Sequence, residues 1–346
     1  MDKQVTTSEI ATKLGISRGT VSKALNNRSN IDKNTRRLII ETAAKMGYRK
    51  LDRDDEQTPA GKAGNTIALM IREARYGDTY WSFFIKSFEE ETINEKYRFT
   101  INVISQEDED LLKLPDNILA HPPAGIVTVG PFVKEYYAKL KPCGIPVVFV
   151  DTASDTTDSD ILGDTLLMCN RENSFKLTSH LIKSGHKRFG YISSYTQCRS
   201  FEDRWRGFND ALKGSDLPLH DSLVFGRKEG EHITADNLSA WLSGVKELPT
   251  AFVCANDFFA IIARTVLMEM SLSVPRDIAI CGFDNDPSHS ILYPQLTTID
   301  SRVQYVGRRA VQELLWRISN PDAPYELIKI TSEIHYRDST EGYVFS

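Results

Sequence analysis

Six residues between positions 18 and 26 have the types and spacing to read a nucleic acid. In RGTVSKALNNR, Arg18, Gly19, Thr20, Ser22, Lys23 and Asn26 lie opposite the apolar residues Val21, Ala24 and Leu25 at helical spacing. Short or basic side chains on one helix face suit the major groove, where they reach base edges and phosphates. A plain three-helix bundle with a solvated basic face would have the same pattern, so spacing alone leaves both readings open. Catalytic chemistry has no comparable signature. No P-loop, HExxH or CxxC pattern occurs. The five cysteines (143, 169, 198, 254, 281) are far apart and odd in number, which excludes a disulfide framework and a zinc knuckle. The seven histidines are scattered, and His180 and His186 fall in a helix and the turn after it, as packing or surface residues do. The acidic stretch DTASDTTDSD (151–160) lacks EF-hand spacing and reads as a solvated loop. The expectation is no enzyme: no catalytic residue, no metal site, no cofactor.

The elements that would present the basic face follow from capping signals. Thr6-Thr7-Ser8-Glu9 has the T-x-x-E form of a capping box, so a helix should start near Thr7, with Ile10, Ala11 and Leu14 inward and Gly15 as its stop. Ser17 can cap the second helix after a tight turn. Asp32 can cap a third, running to about Met46 and closed by Gly47, with Leu38, Ile39, Ala43 and Met46 packed inward. That is a helix-turn-helix with a supporting helix. Charge agrees with it. Residues 1–50 hold 11 Lys and Arg against 4 Asp and Glu, whereas the remainder holds 31 against 43. Only the head should seek a polyanion.

The segment TTSEIATKLGISRGTVSKALNNRSNIDKNTRRLIIETAAKMGYRK resembles the DNA-binding headpiece of the LacI/GalR regulators along nearly its whole length, in EIATKLGIS, in the T-V-S-K-x-L-N run, in T-R-x-x-I and in Gly47-Tyr48-Arg49. The resemblance implies an operator-facing set of Thr7, Ser17, Arg18, Gly19, Thr20, Ser22, Lys23, Asn26, Arg28 and Tyr48. Lys23 replaces the usual arginine and loses the bidentate fork to guanine. Gly19 has no side chain to read a base. The family's alanine-rich hinge helix, with its minor-groove leucine, has no close counterpart in LDRDDEQTPAGKAGN (51–65), where the wedge position falls on Gln57 within an acidic run. Either Leu51 wedges from a shifted register, or the segment is a tether; the tether is favoured, given Pro59, Gly61 and Gly64.

From Thr66 onward short apolar strands alternate with amphipathic helices. The strand candidates are 66–71, 99–105, 125–130 and 146–151, then 188–193, 251–255 and 277–283. Such alternation implies mostly parallel sheets with helices on both faces, here in two lobes, with a ligand cleft at the carboxyl ends of the strands. GFDNDPSHSILYPQLTTID (282–300), ANDFFAIIA (255–263) and RWRGF (204–208) resemble the core of the same family. The resemblance implies an effector site of Arg204, Asn256 and Asp284, with Tyr80 and Trp81 where the family commonly has two phenylalanines. Asp151, ending PVVFVD, is a further candidate, and a position near Ser301 a weaker one. Alternatives stand beside these. Arg204 and Asp284 form a structural ion pair on one reading, Asn256 caps its helix on another, and either aromatic belongs to the core on a third.

The expected fold is thus an all-α helix-turn-helix headpiece plus an α/β periplasmic-binding-protein-like core of two doubly wound lobes. The expected boundaries are 1–50 for the headpiece, 51–65 for the linker and 66–346 for the core, lobe one at about 66–165 and 301–325 and lobe two at about 166–300 and 326–346. The expected function is a sequence-specific DNA-binding transcriptional repressor controlled by a small-molecule effector, with a sugar or sugar derivative as the family default. Within the family an effector can also act as corepressor, or a phosphoprotein can replace it. The expected partners are a double-stranded DNA operator, a carbohydrate effector and a second copy of the chain in a homodimer, with no membrane. The sequence has no run of 18 apolar residues and no apolar signal core near its start, so a cytoplasmic location is expected. A solute receptor and an enzyme are the competing classes; the headpiece argues against the first and the missing motifs against the second.

Overall fold

A reciprocal pair of hydrogen bonds opens the first helix. In the computed structural model, Thr6 Oγ1 accepts from Glu9 N–H at 3.3 Å and the Glu9 carboxylate accepts from Thr6 N–H at 2.7 Å, so helix α1 (Thr7–Leu14) begins at the expected capping box. The structure describes residues 6–25, 32, 35, 38–39, 42–43, 46, 64–73, 79–159, 161–194, 198–228, 231, 233–287 and 293–341. The chain divides into two units, Met1–Lys62 and Ala63–Ser346.

In the first unit Gly15 ends α1 at φ 65°, the left-handed conformation in which a side chain would be strained. Ser17 Oγ accepts from Thr20 N–H at 3.0 Å and caps α2 (Arg18–Leu25). Asp32 accepts from Thr35 N–H at 3.0 Å, and positions 35, 38–39 and 42–43 are helical. Ile10, Ala11, Val21, Ala24, Ile39 and Ala43 make the core, with Leu14, Ile16 and Met46 against it. Leu38, expected inside, is 54% exposed. Ile39 and Ala43, four apart, take the inward stripe, and their neighbour Leu38 is turned out. The expected stop at Gly47 lies outside the described residues, as do the linker positions Leu51 and Gln57.

The second unit holds two parallel sheets. The first contains β1 (Gly64–Arg72), β2 (Arg98–Ile104), β3 (Pro123–Val129), β4 (Val147–Val150) and β5 (Asp164–Met168), joined late in the chain by β11 (Leu327–Ile330), in the order β11-β5-β4-β3-β1-β2. β3 is buried along its length because both faces are covered. Helices α3 (Thr79–Asn94) and α11 (Val303–Ser319) cover one face. On the other, Ile118 of α5 (Asp116–Ala120), which follows the short α4 (Gln106–Asp110), packs with Tyr136, Tyr137 and Leu140 of α6 (Lys134–Leu140). The second sheet has the order β7-β6-β8-β9, from β6 (Phe189–Ile192), β7 (Val224–Phe225), β8 (Ala251–Cys254) and β9 (Ala279–Cys281). It packs with α7 (Asn170–Lys183), α8 (Arg199–Lys213), α9 (Ala235–Ser243) and α10 (Asp257–Glu269) in a separate core. An antiparallel ribbon of β10 (Thr298–Asp300) and β12 (Glu333–His335) completes that lobe, Ile299 lying in its core.

The chain crosses between lobes after β5, after β10 and after β11. Three expected boundaries move. β5 extends the first lobe to Met168 rather than 165, and β11 pairs with β5 in parallel, so residues 327–330 belong to the first sheet rather than to the second lobe. β1 begins at Gly64, two residues inside the segment expected to be linker. The first and last crossings place Asn170 and the β10–β12 ribbon next to the strand ends that line the cleft.

Candidate functional site

The exposed side of the first unit lies at the start of α2. Ser17, Arg18 and Gly19 are exposed, Thr7 and Thr20 are half-buried, and Val21 and Ala24 are buried on the opposite side. Ser17 Oγ and Thr20 Oγ1 are 2.8 Å apart, so Thr20 is tied back to the cap. The α2 amino end can therefore offer Arg18 and the backbone N–H groups of Arg18 and Gly19 to phosphate and base edges. Ser22 and Lys23 belong to α2, but the structure does not describe their side chains. Asn26, Arg28 and Tyr48 lie outside the described residues.

In the second unit a cleft opens where the carboxyl ends of both sheets meet. All six expected effector residues line it: Tyr80, Trp81, Asp151, Arg204, Asn256 and Asp284. Ser301 is not part of the lining; its Oγ donates to the Asp284 carbonyl at 3.2 Å, and its side chain hydrogen-bonds that of Tyr80.

Arg204 is the centre of this wall. It projects from α8 on the face shared with Gly207 and Phe208. A Cβ on Gly207 would stand 2.2 Å from the Arg171 carbonyl, so glycine allows α7 and α8 to touch backbone to backbone. Ser174 Oγ on α7 then donates to the Arg204 carbonyl at 2.7 Å. The Arg204 side chain is 4% exposed, and its guanidinium lies 3.5 Å from the centre of the Phe283 ring. Its Nε–H donates to Asn170 Oδ1 at 3.0 Å, Nη1 to the Ala255 carbonyl at 2.6 Å and Nη2 to Asp284 Oδ1 at 3.3 Å. The ion pair and the cleft position therefore coexist. Asn256 likewise has both of its expected roles in geometry: it lines the cleft and caps α10, Oδ1 accepting from Phe259 N–H at 3.0 Å.

Asp151 faces the cleft with oxygens already engaged. Oδ1 accepts from Thr152 N–H at 2.8 Å and Ser200 N–H at 3.1 Å, and Oδ2 from Cys198 Sγ at 2.6 Å and from Ser200 Oγ. It ties β4 of the first lobe to the start of α8 in the second. Asp151 and Asp284 both have left-handed backbone, φ 69° and 118°, uncommon for residues with side chains and frequent where a site fixes a carboxylate. Tyr80 and Trp81 meet edge to face at 5.0 Å on the opposite wall. Burial pushes the Tyr80 phenol up, and the Asp284 charge adds to this, so it stays a neutral hydroxyl.

Sequence reasoning missed several lining residues, among them Asn170, Ser200, Phe201, Asp257, Phe258 and Asp286. Asp257 is next to Asn256 in the same AND motif and carries the largest electrostatic perturbation in the wall. Burial, then the charge of Asp284, raises it to about 8, although Thr298 Oγ1 and Asp286 N–H donate to its oxygens at 2.6 and 2.9 Å. Among the described residues no group of His, Cys, Asp and Glu could hold a metal ion, and no helix is long and apolar enough to cross a membrane.

A helix-turn-helix unit and a two-lobed α/β unit with a polar, aromatic-walled cleft define a regulator of the ligand-responsive, DNA-binding class. The family model "Bacterial regulatory proteins, lacI family" matches residues 6–50, and the model "Periplasmic binding protein-like domain" matches residues 178–340. The chain thus joins a LacI-family helix-turn-helix domain to a periplasmic-binding-protein-like domain. Catabolite control protein A of Priestia megaterium is 25% identical over 97% of this chain and 99% of its own. The HTH-type transcriptional repressor PurR of Mannheimia succiniciproducens is 26% identical over 97% and 98%. Among solved structures, the lac repressor dimer bound to operator and the anti-inducer ONPF superposes with a TM-score of 0.75 at 20% identity, over 98% of this chain and 99% of its own.

Proposed function

We propose that the protein is a cytoplasmic, homodimeric repressor that binds a double-stranded operator through its helix-turn-helix and releases or tightens its hold when a carbohydrate effector occupies the cleft. One observation carries this reading: a chain with a LacI-type headpiece also brings Tyr80, Trp81, Arg204, Asn256 and Asp284 to one cleft between two lobes. Fixed donors and acceptors on one wall suit hydroxyl groups, and the aromatic pair opposite suits the C–H face of a sugar ring. Two headpieces per dimer suit two half-sites of a pseudo-palindrome. An effector that binds one arrangement of the lobes better than the other shifts the population between them, and with it operator affinity.

Sequencing genomic fragments retained by the purified protein tests the DNA half of this reading. It predicts enrichment of a pseudo-palindrome; a strong preference at its central step means the 51–63 segment reads or bends the minor groove, and a free centre means it is a tether. Absence of any enriched sequence, with and without candidate effectors, contradicts the reading. The cleft half predicts that Arg204→Ala and Asp284→Ala proteins still select the same sequence but lose the effector response. Native effector sensitivity in both would remove these residues from the site.

A further inference from the structure

We propose that Asn170 is a ligand-contacting residue of the cleft, its side-chain amide donating to an acceptor oxygen of an uncharged effector, and that the same wall rejects anionic sugars. The proposal rests on the reading of this cleft as the effector site and adds to it a contact and a ligand class.

Asn170 is the first residue of α7, immediately after the chain leaves the first sheet, and is 1% exposed. Its amide orientation is fixed by chemistry. Arg204 Nε can only donate, so the atom it meets at 3.0 Å is Oδ1. Nδ2 is the remaining polar atom, and among the described residues it has no hydrogen-bond partner. A buried donor left unmade is costly, and native structures retain one chiefly where something else completes it. Asn170 lines the cleft, so a ligand acceptor is the group that fits.

Charge sets the class of that acceptor. Among the described lining residues Arg204 is the sole cation, set among the carboxylates of Asp151, Asp284 and Asp286, while Asp257, raised to about 8 by burial and the Asp284 charge, holds its proton at neutral pH. Its guanidinium is already paired with Asp284 and hydrogen-bonded to Asn170 and the Ala255 carbonyl. A carboxylate or phosphate entering the cleft would lose its water and meet further carboxylates, with no unpaired cation among the described lining residues to offset the loss. A hydroxyl, ring oxygen or carbonyl oxygen would meet the Asn170 donor and no such repulsion.

Calorimetry of the full-length protein tests this with three probe sets: uncharged mono- and disaccharides, the uronic acids of the same sugars, and their phosphate monoesters. The expected result is an uncharged binder at least about tenfold tighter than its acid and its phosphate, one lost hydrogen bond or one uncompensated charge being a tenfold effect or more. Asn170→Asp keeps the acceptor that Arg204 needs and replaces the donor with an oxygen, so it should weaken that binder at least about tenfold. In the native protein, the side-chain amide resonances of Asn170 should move on saturation with the same sugar, a readout that needs no variant to fold. An acid or phosphate that binds tighter than its parent sugar overturns the proposal. So does a panel without an uncharged binder, or a binder indifferent to Asn170→Asp whose titration leaves the Asn170 resonances in place. A sugar that binds through Asn170 yet leaves operator affinity unchanged would instead defeat the regulatory reading of the cleft and leave the assignment standing.

Discussion

The residues that decide ligand chemistry are held by partners rather than by burial alone. Arg204 is oriented by Asn170, Ala255 and Asp284 and backed by Phe283, so a ligand meets a guanidinium that need not reorganise. Asp257 yields a pH prediction. Its folded value, about 8, lies above the ordinary carboxylate range, so the native state holds its proton where the unfolded chain has lost it. The resulting stabilisation is complete below about pH 4 and falls away as pH rises toward 8. Thermal melts at pH 6 and pH 8.5 should show a smaller loss for Asp257→Asn than for the native chain; equal losses would contradict the assignment. At this scale the sequence was uneven. Arg204, Asn256 and Asp284 sit in long motifs, and all three line the cleft. Asn170 stands two residues beyond β5, whose short DTLLM run gave no strong alternation, so nothing in the sequence marked that position. The Asp257 shift was not legible either, because it depends on Asp284 and on burial, both set by the fold.

Two contacts between elements set where the cleft walls stand. The first is the α7–α8 pair, which Gly207 allows to approach. Gly207→Ala would drive a Cβ into the Arg171 carbonyl at 2.2 Å. It should destabilise the protein by about 1–3 kcal/mol and displace Arg204, weakening effector binding as well; an unchanged denaturant midpoint would contradict this. The second is Arg317 of α11, which donates to both oxygens of Asp164 at 2.6 and 2.7 Å, at 4% and 0% side-chain exposure, and to the carbonyls of Asn320, Ala323 and Pro324. It ties α11 to β5 and to the turn leading into β11. Arg317→Ala leaves Asp164 buried without its cation and should cost about 3–5 kcal/mol in chemical denaturation. The alternation of apolar runs found β1 to β4, β6, β8 and β9. It missed β5, β7, β10, β11 and β12, which are two to five residues long. Short strands at crossings carry little periodicity, and their pairing is fixed by distant partners, which is why the expected lobe boundaries fell short of Met168 and β11.

Across the whole molecule, the basic head and acidic body predict where DNA can bind. With the surplus of Lys and Arg confined to residues 1–50, operator affinity should fall steeply with salt, and the 64–346 segment alone should show no affinity for DNA at any salt. Retention of operator by that segment would contradict the division of labour. The cleft joins two lobes through the engaged carboxylate of Asp151 and through the ion pair of Arg199 on α8 with Asp158 in the loop after β4. The acidic loop read from sequence as solvated thus takes part in an interlobe contact. A ligand bound between lobes so connected acts on their relative arrangement, which is the quantity an effector must bias. The most direct test measures the affinity of the native protein for its selected operator with and without a saturating cleft ligand, and repeats it with Asp284→Ala. The account predicts a shift of at least about fivefold in the native protein, the lower end of a typical allosteric coupling, and none in the variant. An operator affinity that the bound ligand leaves unchanged in the native protein would contradict it.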